Sequence, residues 1–274
     1  MHPILASFGP FYLFGWEIGP IHLYSYGLCL ATALGLSIYL FARDAEKYIA
    51  PKIGISGREA FQKTFDMATW IILASIAGAR IFYAWENYPE FQGHWIEIFY
   101  LWQGGLVYYG GLFGGALAGI LWFLREKWPL AYSADVLAPY ICLGQAVGRV
   151  GCFLNGCCYG IVDPKYGLVF PGAGDGEKHL PTQLWEMAGD LVLFFILWWA
   201  RRYTLKYPWM TLSLYGLTYG TLRFVIEIWR RDWTKRYLVY FVSASQAVSA
   251  IMILVSVAAL VFIVARHRKT RLVS

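Results

Sequence analysis

Residues 148–160, Gly-Arg-Val-Gly-Cys-Phe-Leu-Asn-Gly-Cys-Cys-Tyr-Gly, put an arginine, an asparagine and three thiols at the end of a run otherwise apolar enough to lie in a bilayer. Placing a guanidinium in hydrocarbon costs at least a few kcal/mol, so Arg149 must face a polar, protein-lined cavity and meet an anion there. A second arginine, Arg223, interrupts another apolar run. Guanidinium forks bind phosphate bidentately and stay charged at any relevant pH. Neither arginine has an obvious carboxylate partner, so the indicated chemistry is recognition of a phosphate-bearing ligand. Glu227, four residues after Arg223, keeps another reading open: the two would pair along one helix.

The thiols Cys152, Cys157 and Cys158 allow three readings. As zinc ligands they are poorly spaced, because a helix continued through this stretch would put Cys152 and Cys157 on different faces, and no histidine is close in sequence. As packing residues they need no chemistry. As a thiolate stabilised by Arg149, Cys152 or Cys157 would be reactive. No metal or other cofactor is expected. The five cysteines form no disulfide framework, since the count is odd and two fall inside apolar runs.

The elements that position these groups follow from composition. With 58% hydrophobic and 15% charged residues in 274, the chain is too apolar for an ordinary soluble domain. Spans require roughly 20 apolar residues, and seven are read at about 22–42, 64–84, 104–124, 134–154, 184–200, 208–228 and 242–265. The expectation is therefore an all-α, seven-span membrane protein forming one transmembrane domain over residues 1–274. An amphipathic arm over 1–21 and an external loop over 161–183 complete it. Fourteen basic residues fall on one side of this topology and six on the other, which places the N-terminus outside and the tail in the cytoplasm. The four basic residues after span six, Arg230, Arg231, Lys235 and Arg236, run against that trend. The formal charge of +6 is mostly the cytoplasmic excess, so no nucleic-acid partner is implied. Gly110, Gly111, Gly114, Gly115 and Gly119 in span three predict a close helix seam.

Alternating span direction assigns a depth to each polar group. Tyr26, Tyr109, Arg149, Asn155, Gln183, Glu186, Tyr219, Arg223 and Glu227 all fall toward the outer leaflet, and the site is expected there. Arg80, near the outer end of span two, either snorkels to the interface or widens the basic cavity.

These residues carry a resemblance. The 148–160 stretch is similar to the signature G-R-x-G-N-F-x-N-G-E-x-x-G of the prolipoprotein diacylglyceryl transferase family, and it keeps Arg149, Asn155 and Gly160. Supporting pieces are His2-Pro3, Gly9-Pro10, Tyr26-Gly27, Gly78-Ala79-Arg80, Gly104-Gly105 with Gly110-Gly111, Pro181-Thr182-Gln183-Leu184-Trp185-Glu186, Arg223 with Glu227, and Gln246 with Ser249. The resemblance implies a bacterial inner-membrane enzyme with its site toward the outer leaflet. It would move a diacylglyceryl group from phosphatidylglycerol to the lipobox cysteine of a prolipoprotein, releasing glycerol phosphate. Arg149 and Arg223 would bind the phosphate, Tyr26 and Asn155 the headgroup, and Glu227 would orient an arginine or accept a proton. Arg80, Cys152, Cys157, Gly160, Gln183, Glu186 and Tyr219 would complete the substrate site.

The departures matter too. Tyr109 stands where the family has a histidine in G-G-x-x-x-H-G-G, and Cys152 and Cys157 stand where it has asparagine and glutamate. An unperturbed tyrosine titrates near 10 and is a poor base, so Tyr109, Glu227 or an arginine-activated substrate thiolate would have to serve. His179, on the external loop, would offer an imidazole from another direction. Two alternatives stay open: a related transferase with a different acceptor, and a non-catalytic phospholipid-binding or transport protein.

Overall fold

The computed structural model describes residues 1–13, 16–101, 104–230, 237–239 and 242–273. Of the basic residues that run against the charge trend, Arg231, Lys235 and Arg236 lie outside the described residues. Each of the seven expected spans falls on a helix: α1 (Ser25–Asp44), α3 (Gly57–Glu86), α4 (Tyr108–Arg125), α5 (Leu130–Asn155), α6 (Thr182–Thr204), α7 (Met210–Ile226) and α8 (Ala244–Val273), with a one-turn α2 (Ala50–Ile53) after α1. Among the described residues, four helical stretches are long and apolar enough to cross a membrane: 25–53, 57–86, 130–155 and 244–268. The other three helices are short or carry polar groups. α7 has 17 residues, and α6 contains Glu186, Asp190, Arg201 and Arg202.

The N-terminal arm is not helical. β1 (Ile4–Phe8) pairs antiparallel with β4 (Ile21–Tyr24), and between them β2 (Phe11–Leu13) pairs with β3 (Trp16–Ile18). Two further two-stranded ribbons join β5 (Leu168–Val169) to β6 (Lys178–His179) and β7 (Tyr237–Val239) to β8 (Val242–Ser243). The chain is predominantly helical, with hairpins confined to the arm and the loops.

The chain divides into two compact units, Leu40–Ser133 and a larger one formed by 1–39 with 134–274. In the smaller unit the glycine seam forms as expected. A methyl built on Gly110 would lie 2.4 Å from the Gly78 carbonyl oxygen, and one on Gly114 would lie 2.4 Å from that of Ala74. Helices α3 and α4 thus touch backbone to backbone, the association that small residues permit where lipid supplies no hydrophobic drive. Arg80 corrects the snorkelling expectation. It is 5% exposed, and its guanidinium donates to the carbonyls of Glu97, Ile98, Tyr100, Gly104 and Gly105 at 2.6–3.4 Å. A planar fork fits this role, holding the α3–α4 connection onto the end of α3.

In the larger unit, buried Asp135 near the start of α5 accepts the Leu212 amide at 2.8 Å, satisfying one of the orphan donors at the α7 N-terminus. Ser243 and Gln246 form a reciprocal cap on α8. The Gln246 amide donates to Ser243 Oγ and the Ser243 amide donates to Gln246 Oε1, each at 3.1 Å.

Candidate functional site

The site lies in the larger unit and is built from the last turns of α5, the first turn of α6 and the end of α7. Arg149 Nη2 donates to Glu186 Oε1 at 2.6 Å. Arg223 Nε lies 3.9 Å from the same oxygen, and Arg223 Nη1 lies 2.8 Å from Glu227 Oε2. The two arginines expected to share a ligand do converge, but the expectation that they lack carboxylate partners fails. Glu186 sits between them at 2% exposure, and Glu227 takes the far side of Arg223 at 3%. The physical reason is that two guanidiniums in one buried pocket repel unless an anion lies between them. The i, i+4 pairing of Arg223 with Glu227 forms as well.

The pair is not closed to a ligand. Arg149 keeps 19% of its side chain exposed, and among the described residues it donates one hydrogen bond, to Glu186, so further guanidinium N–H groups remain for an added acceptor. Glu227 is held from behind, since the Ser243 hydroxyl that caps α8 donates to its Oε1 at 2.9 Å. Arg223 Nη2 donates to Ser245 Oγ at 3.2 Å. The beginning of α8 therefore fixes the end of α7. Neither serine was singled out from sequence, although Ser243-x-x-Gln246 before an apolar run is a readable cap signal.

Asp190, one turn after Glu186, was also missed. It is fully buried, with neither carboxylate oxygen hydrogen-bonded among the described residues, and it lies within electrostatic reach of Arg149 and Arg223. Its signal was an aspartate inside an apolar span. Tyr219 stacks on Tyr215 at 5.4 Å and is within electrostatic reach of Arg149.

The 156–160 turn is pinned to the start of α6. Gln183 Nε2 donates to the Cys157 carbonyl at 2.6 Å, and Thr182 Oγ1 donates to that of Cys158 at 3.0 Å. Gly160 exchanges backbone contacts with Leu180 and Arg230, and a methyl there would lie 2.5 Å from the Trp229 carbonyl oxygen. Glycine is required for close approach of backbones. Gln183 and Gly160, expected in substrate binding, thus have architectural duties.

The thiols correct the helical-face argument. Helix α5 ends at Asn155, and Gly156 takes φ 73°. Its amide bonds the Phe153 carbonyl and the Cys157 amide bonds the Cys152 carbonyl, both at 3.1 Å. This Schellman turn folds Cys157 back over the helix end. Cys158, itself at φ 65°, completes the reversal, and the three sulfurs lie within 4.8 Å of one another. Tyr26 and Arg149 are within electrostatic reach of this cluster, the Asn155 side chain lies close to Cys157, and Cys157 Sγ donates to the Cys152 carbonyl at 3.6 Å.

Tyr109, at the start of α4, and Arg80 belong to the other unit. His179 is fully buried, with Nδ1 3.1 Å from the Gly160 carbonyl oxygen and Nε2 3.1 Å from an Asp175 carboxylate oxygen. Engaged on both ring nitrogens and packed on Tyr159, it serves the loop's structure.

Apolar helices around a buried arginine–carboxylate cluster mark a helical membrane protein. Comparison with known proteins gives the particular family. Residues 14–262 match the profile described as prolipoprotein diacylglyceryl transferase, and the chain belongs to that family. It is similar to proteins named phosphatidylglycerol–prolipoprotein diacylglyceryl transferase. That of Paracidovorax citrulli (strain AAC00-1) is 34% identical over 78% of this chain and 81% of its own length. That of Streptococcus pyogenes serotype M5 (strain Manfredo) is 31% identical over 92% and 94% respectively.

Proposed function

We propose that this protein transfers the diacylglyceryl group of phosphatidylglycerol to the lipobox cysteine thiol of a prolipoprotein, releasing glycerol phosphate. The observation that carries the reading is the convergence of Arg149 and Arg223 on one buried carboxylate. Glu186 holds the two forks in place before any lipid arrives, so the phosphate meets preorganised donors. The thiol sulfur attacks the glycerol carbon bonded to the phosphate oxygen. A carbon–sulfur bond forms, the carbon–oxygen bond breaks, and the electron pair leaves on phosphate. The thiol proton finally rests on that departing phosphate, so a base need only relay it, and we assign the relay to Glu227. We assign contacts with the headgroup to Tyr26, which is within electrostatic reach of Arg149, and to Asn155.

In the same reading all seven long helices cross a bacterial inner membrane with the N-terminus outside. The asymmetry of Lys and Arg supports this orientation, and it puts the arginine pair in the outer leaflet.

The test is purified protein in detergent with phosphatidylglycerol and a lipobox peptide, analysed by mass spectrometry. Thioether-linked peptide and free glycerol phosphate are expected. Arg149→Lys and Arg223→Lys are each expected to slow transfer by roughly 100-fold or more, because a point-charge ammonium cannot replace a planar donor fork at a developing oxyanion. Full activity in both variants removes the phosphate clamp. A lipid-modified product other than the peptide indicates a different acceptor, and lipid binding without turnover indicates a non-catalytic protein.

A further inference from the structure

Cys152 and Cys157 are expected from the resemblance among the substrate contacts, but no step of the proposed transfer uses a thiol of the protein itself. We infer that Cys152, Cys157 and Cys158 form a binding site for a single thiophilic monovalent cation, of which Cu(I) is the representative. Three sulfurs already lie within 4.8 Å of one another. A trigonal three-sulfur site with metal–sulfur bonds of about 2.3 Å needs sulfurs about 4 Å apart. The change required is no more than about 1 Å, within the reach of small χ1 adjustments.

The backbone has assembled the cluster from residues that a continuous helix would have separated. Gly156 and Cys158 both hold positive φ to do so. For Cys158 that is a conformation L-residues rarely adopt, and it persists because Thr182 and Gln183 tie down the carbonyls on either side of the turn.

Ligand type selects the ion. Structural Zn(II) sites want four ligands in a tetrahedron, whereas the metal-ligating group here contains, among the described residues, three sulfurs and no imidazole or carboxylate. A thioether is also near the turn: Met1 Sδ lies 3.5 Å from a methyl built on Gly156, the residue before Cys157. Thiolate and thioether are soft donors of the class that takes Cu(I), and three-coordination sets this site apart from the four ligands of structural zinc. Arg149 is within electrostatic reach of Cys152 and Arg230 of Cys157, so positive charge borders the cluster, that of Arg149 being shared with Glu186. Cys157 and Cys158 are partly exposed while Cys152 is buried, so an ion can enter from the loop side.

The experiment uses the full chain, reduced, in detergent, with Cu(I) presented as its coloured bicinchoninate complex. One equivalent of Cu(I) per chain is expected to be withdrawn from the chromophore. The bound ion is expected to shield Cys152, Cys157 and Cys158, but not Cys29, from maleimide labelling mapped by mass spectrometry. A protein carrying Cys152→Ser, Cys157→Ser and Cys158→Ser is expected to withdraw at least tenfold less Cu(I), while Cys29→Ser with Cys142→Ser behaves as wild type. Should the triple variant fail to fold, the wild-type labelling map decides alone. Unshielded thiols, no withdrawal of Cu(I), or equal withdrawal by a folded triple variant overturns the site. Co(II) giving tetrahedral thiolate spectra that Cu(I) cannot displace overturns the monovalent assignment. Transfer activity is not the readout, so failure here leaves the proposed reaction untouched.

Discussion

The replacement Glu186→Gln isolates the central electrostatic claim, because it keeps the side chain's shape and removes its charge. Glu186 is 2% exposed and faces Arg149 at 2.6 Å and Arg223 at 3.9 Å. Breaking a buried pair by neutralising one partner costs about 3–5 kcal/mol, since an unbalanced charge is left behind. Here two guanidiniums would lose a shared anion, which puts the loss at the upper end of that range, with Glu227 still serving Arg223 from its other side. The variant is therefore expected to unfold at a visibly lower temperature in neutral detergent. A lipid phosphate bound at the exposed side of Arg149 can supply the missing negative charge, so phosphatidylglycerol should restore stability in the variant far more than in the parent. Diacylglycerol, which has the same acyl chains and no phosphate, should not. The assay is thermal unfolding in detergent with each lipid added in turn. An unfolding temperature equal to that of the parent, or equal rescue by both lipids, would refute the reasoning that Glu186 balances the charge of both guanidiniums.

Two further outcomes are expected. Gly160→Ala brings a methyl within 2.5 Å of the Trp229 carbonyl and should lower stability by about 1–3 kcal/mol, the usual cost of forcing atoms into a closed contact; thermal unfolding checks it. Ser243→Ala removes both the α8 cap and the donor to Glu227. It should cost about 0.5–2 kcal/mol and reduce peptide lipidation, whereas Ser243→Thr, which keeps the hydroxyl, should recover both.

The helices were legible because long apolar runs allow few alternatives, and the glycine seam because small residues at helical spacing have one main use. The meeting of Arg149 and Arg223 was legible as well: alternating span direction gives depth, and charges at one depth must meet something. What depth cannot supply is the partner. Glu186 was placed in the same leaflet but read as a substrate contact, since nothing in sequence says which carboxylate points at which arginine. The thiol argument failed for a local reason. Counting helical faces through Cys157 assumes that the helix continues, while Gly156 ends it one residue after Asn155. Arg80 was misjudged because its acceptors are backbone carbonyls of residues 97–105, which have no side-chain signature.

The aspartate that caps α7 bears on how the protein is made. Asp135 and Leu212 are 77 positions apart, so α5 must wait, with a carboxylate unmatched, until the ribosome has delivered α7. Neither partner is comfortable alone in a dry environment. On the proposed seven-span topology, release of α5 into lipid before that moment is penalised, and the two segments are expected to leave the insertion machinery as a joined pair.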